Sequence, residues 1–169
     1  MNGTELIIGN LCTLLAMGSN AFSATRKSAS GILLTQNLSQ AIYCASAITL
    51  KGYSAAVQNI VSIVRNFTAA RKIQSKFLEW MLVVLGVVLG IVFNNRGIVG
   101  LLPVIGNLQY TLAIFRFSDN QRVLKISFLL SVVSFAIFNA VICNFVGVAA
   151  DSFVVVTTAA VLIRERKNK

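Results

Sequence analysis

The chain has 169 residues, with 15 Lys and Arg against 5 Asp and Glu for a net charge of +10, 56% hydrophobic and 12% charged residues, and a mean hydropathy of +0.79. Soluble domains carry about 25% charged residues, so this composition excludes an ordinary globular protein and fits a multi-pass α-helical membrane protein. Seven spans of about 20 residues would leave about 29 residues for connections and termini, too few for a soluble catalytic or receptor domain.

Apolar windows at residues 5–24, 31–50, 52–70, 77–93, 98–115, 123–142 and 145–163 predict seven helices. The first is not read as a cleaved signal peptide, because no Lys or Arg precedes it and it carries Glu5. The second is the most polar, with Gln36, Asn37, Ser39 and Gln40, but it has no period-two alternation of β-branched and aromatic residues that would argue for a strand. The third carries a polar stripe of Gln58, Asn59, Ser62, Arg65 and Asn66, and the fourth carries Gly86 and Gly90. Basic residues gather in alternate connections: Arg26 and Lys27; Arg71, Lys72 and Lys76; Arg116, Arg122 and Lys125; and Arg164, Arg166, Lys167 and Lys169 in the tail. Only Lys51 and Arg96 fall on the other side, which predicts an N-terminus outside and a cytoplasmic C-terminus. This clustering between apolar spans also argues for the lipid bilayer and against nucleic acid as the partner, despite a pI of 10.2.

The chain contains no His, and Cys12, Cys44 and Cys143 all lie inside apolar windows without CxxC spacing. No metal site, disulfide framework or nucleophile–base pair is implied. Phosphate-binding loops and hydrolase or metalloprotease motifs are absent as well. The expectation is a protein that is not an enzyme and has no cofactor.

An internal repeat is visible. Ile8-Gly9-Asn10-Leu11 recurs as Ile105-Gly106-Asn107-Leu108 at an offset of 97, and Ser39, Ala41, Ile42, Ala45 and Gly52 recur as Ser134, Ala136, Ile137, Ala140 and Gly147 at an offset of 95. A three-helix unit ends on the side opposite its start, so a second unit in the same orientation needs one connecting helix. The expected fold is an all-α membrane protein of seven transmembrane helices in a 3+1+3 arrangement of two parallel three-helix repeats. Residues 1–72 form the first repeat, 73–96 the linker helix, and 97–169 the second repeat with its basic cytoplasmic tail.

The segments Leu101-Leu102-Pro103-Val104-Ile105-Gly106 and Thr111-Leu112-Ala113-Ile114-Phe115-Arg116 resemble the corresponding stretches of the bacterial inner-membrane YgjV family. That resemblance implies a small multi-pass protein of the bacterial inner membrane, with a layout similar to the SWEET sugar facilitators and PQ-loop transporters. SWEET-like proteins present an Asn from the third helix of each repeat. Asn59 matches in the first repeat, and Val154 stands at the offset-95 position in the second. Those proteins also hinge on a Pro in the first helix of each repeat, whereas this chain has only Pro103.

Polar side chains inside a bilayer point to function or to helix–helix contacts. Candidate substrate-binding residues are Asn59, Gln36, Gln40 and Gln58, with Gln109 and Tyr110 on the fifth span. Gly9, Asn10, Gly106, Asn107 and Pro103 are candidates for helix packing or a hinge, and Gly86 and Gly90 for a homodimer contact or a seat within the bundle. Asp151, the only carboxylate well inside a span, is the candidate for ion or proton coupling. Arg65 is expected to snorkel to the cytoplasmic headgroups, and Glu79 beside Trp80 to anchor the interface. The leading function is a SWEET-like transporter or facilitator of a small polar metabolite through a midplane pocket between the repeats. The alternative is a non-transporting membrane interaction or assembly protein whose polar residues only lock helices together.

Overall fold

The computed structural model describes residues 2–23, 26, 29–73, 75–117 and 120–167, and among them it contains seven α-helices, one 3-10 turn and no strand. The helices are α1 (Gly3–Ser23), α2 (Ala29–Thr49), α3 (Tyr53–Ala70), α4 (Lys76–Val92), α5 (Leu102–Arg116, preceded by the 3-10 turn Gly97–Leu101), α6 (Gln121–Val141) and α7 (Phe145–Lys167). Each predicted window coincides with one of them. Ala24, Lys27 and Lys169, which figured in the sequence reading, lie outside the described residues. Four stretches are long and apolar enough to cross a membrane by length and composition: Gly3–Ser23, Gly97–Arg116, Gln121–Val141 and Phe145–Glu165. Polar residues dilute α2 and α3, and α4 has only 17 residues.

Burial runs opposite to that of a soluble bundle. In α1 the buried residues are Gly9, Thr13, Ala16 and Ser23, while Ile7, Leu11, Leu14 and Leu15 are exposed. In α3, Gln58, Asn59, Ser62, Arg65 and Asn66 are buried, and Ile60, Val64 and Phe67 face outward. Small and polar residues inside with large apolar ones outside is the arrangement that lipid favours, since packing and hydrogen bonds, not apolar burial, hold such helices together.

Local signals explain several helix ends. Lys51, Lys72 and Cys143 take positive φ angles of 57°, 54° and 59° just after α2, α3 and α6. In each case the next amide reaches back five residues, as in Gly52 N to Ala47 O at 2.7 Å, so left-handed caps satisfy the last carbonyls. Ser75 and Asn120 cap the starts of α4 and α6. Pro103 sits in the first turn of α5, where its missing N–H leaves no intrahelical bond unmade. It starts a helix and does not kink one, which corrects the hinge reading and leaves the packing one. The two basic residues on the bare side are both engaged: Lys51 pairs with Glu5 at 3.3 Å, and Arg96 donates to the carbonyls of Leu50 and Lys51.

Six helices close a ring in the order α1, α2, α3, α5, α6, α7, with α7 packed back on α1. The helix α4 packs on α3 and α5, covering the line where they meet. Successive residues of α3 meet successive residues of α5, Gln58 reaching Asn107 and Arg65 reaching Asn107 and Thr111, so these two helices run parallel. The helices α2 and α6 have 21 residues each, begin at residues 29 and 121, and are followed by α3 and α7 from residues 53 and 145. These boundaries are related by an offset of 92, one helical turn away from the 95 suggested by the residue identities. Counted from Asn59, an offset of 92 falls on Asp151 and an offset of 95 on Val154.

Candidate functional site

The ring encloses a cavity of about 630 Å³ to which all six ring helices contribute and α4 does not. Its size falls in the range of small-molecule sites, about 300–1,000 Å³. Asn20 from α1, Gln40 and Tyr43 from α2, and Asn59, Ser62 and Arg65 from α3 form one side. Asn107 and Tyr110 from α5, Ser131, Phe135 and Asn139 from α6, and Asp151 and Val154 from α7 form the other.

Arg65 is 4% exposed. Its Nη1 donates to Asn107 Oδ1 at 2.6 Å and to Thr111 Oγ1 at 3.3 Å, its Nε and Nη2 point to Asn66 Oδ1, and its guanidinium lies 4.8 Å from the centre of the Tyr110 ring. Every one of these partners is neutral. Among the described residues the ion pairs are Lys51 with Glu5, Arg116 with Glu79, and Lys125 with Glu165, so Arg65 has no carboxylate. The snorkelling expectation is overturned: a hydrogen-bonded acceptor set on α5 holds the side chain inside, where lipid headgroups cannot reach it.

Asn107 is the hub of this wall. Its Oδ1 accepts from Arg65 and from Ser62 Oγ, and its Nδ2 donates to Gln58 Oε1 at 2.9 Å. The Gln58 Nε2 in turn donates to the Gly86 carbonyl at 2.8 Å, which ties α3 to α4. Asn59, one residue further round α3, behaves differently. It is 7% exposed, lines the cavity, and makes no hydrogen bond among the described residues. Across the ring, Asn139 Nδ2 donates to Asp151 Oδ2 at 2.8 Å, and the Asp151 carboxylate also lines the cavity.

A model of the Imp-YgjV family, described as a bacterial inner membrane protein, matches residues 7–169. The chain belongs to that family. No curated protein and no solved structure matches it. Membership makes this a membrane protein of a bacterial inner-membrane family, and the match spans all seven helices apart from the first few residues of α1.

The structure sorts the candidate residues of the family member. Asn59, Gln40, Tyr110 and Asp151 meet in the cavity, whereas Gln36 does not line it. Gln58 faces α4 and α5, and Gln109 donates to the carbonyls of Gly106 and Ser127, so both carboxamides are engaged in holding helices. Asn10 bridges α1 to the turn before α7, donating to Cys143 O at 3.1 Å and accepting from Val146 N at 3.0 Å. Gly9 lies against Leu50, just past the end of α2, with no room for a side chain, and Gly106 packs tightly against the backbone of Ser131 on α6. Gly86 and Gly90 face Gln58, Val61 and Val104 of this same chain, which corrects the dimer reading: the GxxxG face is already occupied by α3 and α5. Arg65, Thr111, Tyr43 and Asn139 were missed as site residues. Spacing held a signal for some of them, since Gln58, Ser62 and Arg65 stand at i, i+4 and i+7 on one helical face, and Thr111 is four residues from Asn107.

Proposed function

We propose that this protein is a small transporter or facilitator that moves a small polar metabolite through the cavity at the centre of the six-helix ring. In this reading the seven helices all span the membrane as 3+1+3, with two parallel three-helix repeats and α4 as the linker. The N-terminus lies outside and the C-terminus in the cytoplasm, and the protein is not an enzyme. The parallel course of α3 and α5, the shared offset of 92 for α2–α3 and α6–α7, and the exclusion of α4 from the ring support this layout.

The observation that carries the reading is the Asn59 side chain. Its carboxamide lines a cavity of ligand size and makes no hydrogen bond among the described residues, so its donors and its acceptor are open to a solute. That pattern fits a group held ready for a solute. An assembly protein whose polar residues only lock helices has no use for it. Asn59→Ala removes no protein–protein hydrogen bond, so its melting temperature in nanodiscs is expected to stay within about 2 °C of wild type. Uptake of the transported solute into proteoliposomes is expected to fall at least about tenfold. The absence of saturable uptake for every member of a panel of sugars, nucleosides, amino acids and vitamins would sink the proposal, as would an Asn59→Ala variant that unfolds.

A further inference from the structure

Resting on the transport reading, the charges of the cavity define the chemical class of its solute. Arg65 and Asp151 both line the cavity, and both are held by neutral groups alone among the described residues. They cannot neutralise each other directly, because α3 and α7 stand opposite in the ring: α2 and α1 separate them on one side, α5 and α6 on the other. Their depths differ as well. Arg65 and Ser62 share the Asn107 oxygen, which places the guanidinium at the level of Ser62, nine residues or about 14 Å from the start of α3. Asp151 is six residues, or about 9 Å, from the start of α7, and Asn59 is equally far from the start of α3.

The cavity therefore carries a dipole, its cationic group on the α3–α5 wall and its acidic group on the α7 wall nearer the outer ends of the helices. Arg65 is buried and Asp151 half-buried, and charges withdrawn from water are costly unless opposite charges meet them. A simple organic anion would satisfy Arg65 and be repelled by Asp151, and a simple amine would do the reverse. One solute that carries both groups satisfies both walls and is aligned by the dipole. We infer that the cavity binds a small organic zwitterion of the amino-acid type, its acidic group toward Arg65 and its ammonium group toward Asp151, with the unbonded Asn59 amide available to either end.

The test measures binding of full-length protein in nanodiscs by calorimetry to sets of compounds sharing one carbon skeleton: the α- or ω-amino acid, the carboxylic acid without the amine, the amine without the carboxylate, and a neutral monosaccharide for reference. The zwitterion is expected to bind at least about tenfold more tightly than either parent. Asp151→Asn keeps an oxygen to accept from Asn139 and so leaves the fold in place. It is expected to bring the amino acid and the matching carboxylic acid to similar affinity. Arg65→Lys, which retains the charge but not the forked contacts with α5, is expected to weaken the zwitterion and the carboxylic acid together. A carboxylic acid or amine bound as tightly as the zwitterion would overturn the inference, as would an unchanged preference in Asp151→Asn. A neutral sugar bound in place of these compounds would overturn it while leaving transport intact, whereas saturable uptake of none of the solutes would remove the transport reading itself.

Discussion

The first three and last three helices meet along two lines, and the two are built differently. Where α3 meets α5, Asn107 gathers Gln58, Ser62 and Arg65 into one network, and α4 covers the join from outside with its Gly86 carbonyl bonded to Gln58. Where α1 meets α7, the hydrogen bonds among the described residues are those of Asn10 to Cys143 and Val146 at the end where α7 starts, and no further helix lies over the join. Asn10 and Asn107 correspond in the sequence repeat, yet one ties a turn and the other holds a buried cation. One line is locked across its middle and the other is pinned at one end. If one side of the ring yields during a transport cycle, the physics favours α1 and α7, because fewer polar contacts must break there.

Asn107→Leu attacks the locked line and is expected to have the largest effect. It leaves the Arg65 guanidinium without its shortest bond and the Gln58 carboxamide without its donor in a buried site. A hydrogen bond to a charged group is worth about 1.5–3 kcal/mol, with more lost where the partners left behind are buried, so a large drop in melting temperature is expected, together with loss of the fold under mild detergent. Asn10→Leu attacks the pinned line and is expected to cost about 0.6–2 kcal/mol, the range for hydrogen bonds between helices in membranes. Its signature is local: hydrogen exchange should rise in the first turn of α7, starting at the Val146 amide, while α3 and α5 stay protected. Equal losses for the two variants would erase the distinction.

A smaller effect separates the two glycines of α4. A Cβ at Gly86 would meet Gln58 and Val61 at 3.6 Å, ordinary contact, whereas one at Gly90 would come within 2.6 Å of Gln58 Nε2 and Val104 Cγ2. Gln58 is held by Asn107, so it has little freedom to withdraw. Gly90→Ala is expected to destabilise by about 1–3 kcal/mol and Gly86→Ala by less than about 0.5 kcal/mol, read as thermal unfolding in the same detergent. Comparable effects would mean that α4 shifts freely on the α3–α5 join and does not lock it.

How much of this was legible beforehand depends on the kind of signal. The seven helices follow from hydropathy windows because a bilayer demands long apolar runs, and each observed helix overlaps its window. Asn59 was legible as a polar residue in mid-span. Arg65 was not, because its distance from the helix end is compatible with both a headgroup contact and a buried one, and the choice is made by Asn107, forty-two residues away in sequence. The offset of 95 from residue identities and that of 92 from helix starts differ for a similar reason. Identities such as Ser39 with Ser134 are single matches in apolar sequence, whereas helix ends depend on backbone caps at Lys51 and Cys143, residues too unlike for a comparison of letters to pair them.

Another small effect lies at the other end of the α4–α5 contact. Glu79, in the first turn of α4, accepts from Arg116 Nε at 2.6 Å, and the Arg116 guanidinium lies 5.6 Å from the centre of the Trp80 ring. The carboxylate is buried and favoured by the start of its helix, but about half of the Arg116 side chain is exposed, so solvent screens the pair. Glu79→Gln is expected to cost under about 1 kcal/mol, and the difference from wild type should shrink as salt rises, because an exposed guanidinium is screened by ions. The Asn107 network, whose residues are almost fully buried between α3 and α5, should show a much weaker salt dependence. Measuring both variants at low and high salt therefore places each contact on its own side of the comparison: a loss at Glu79 that ignores salt would mean that this end of α4 is sealed as tightly as the join it covers.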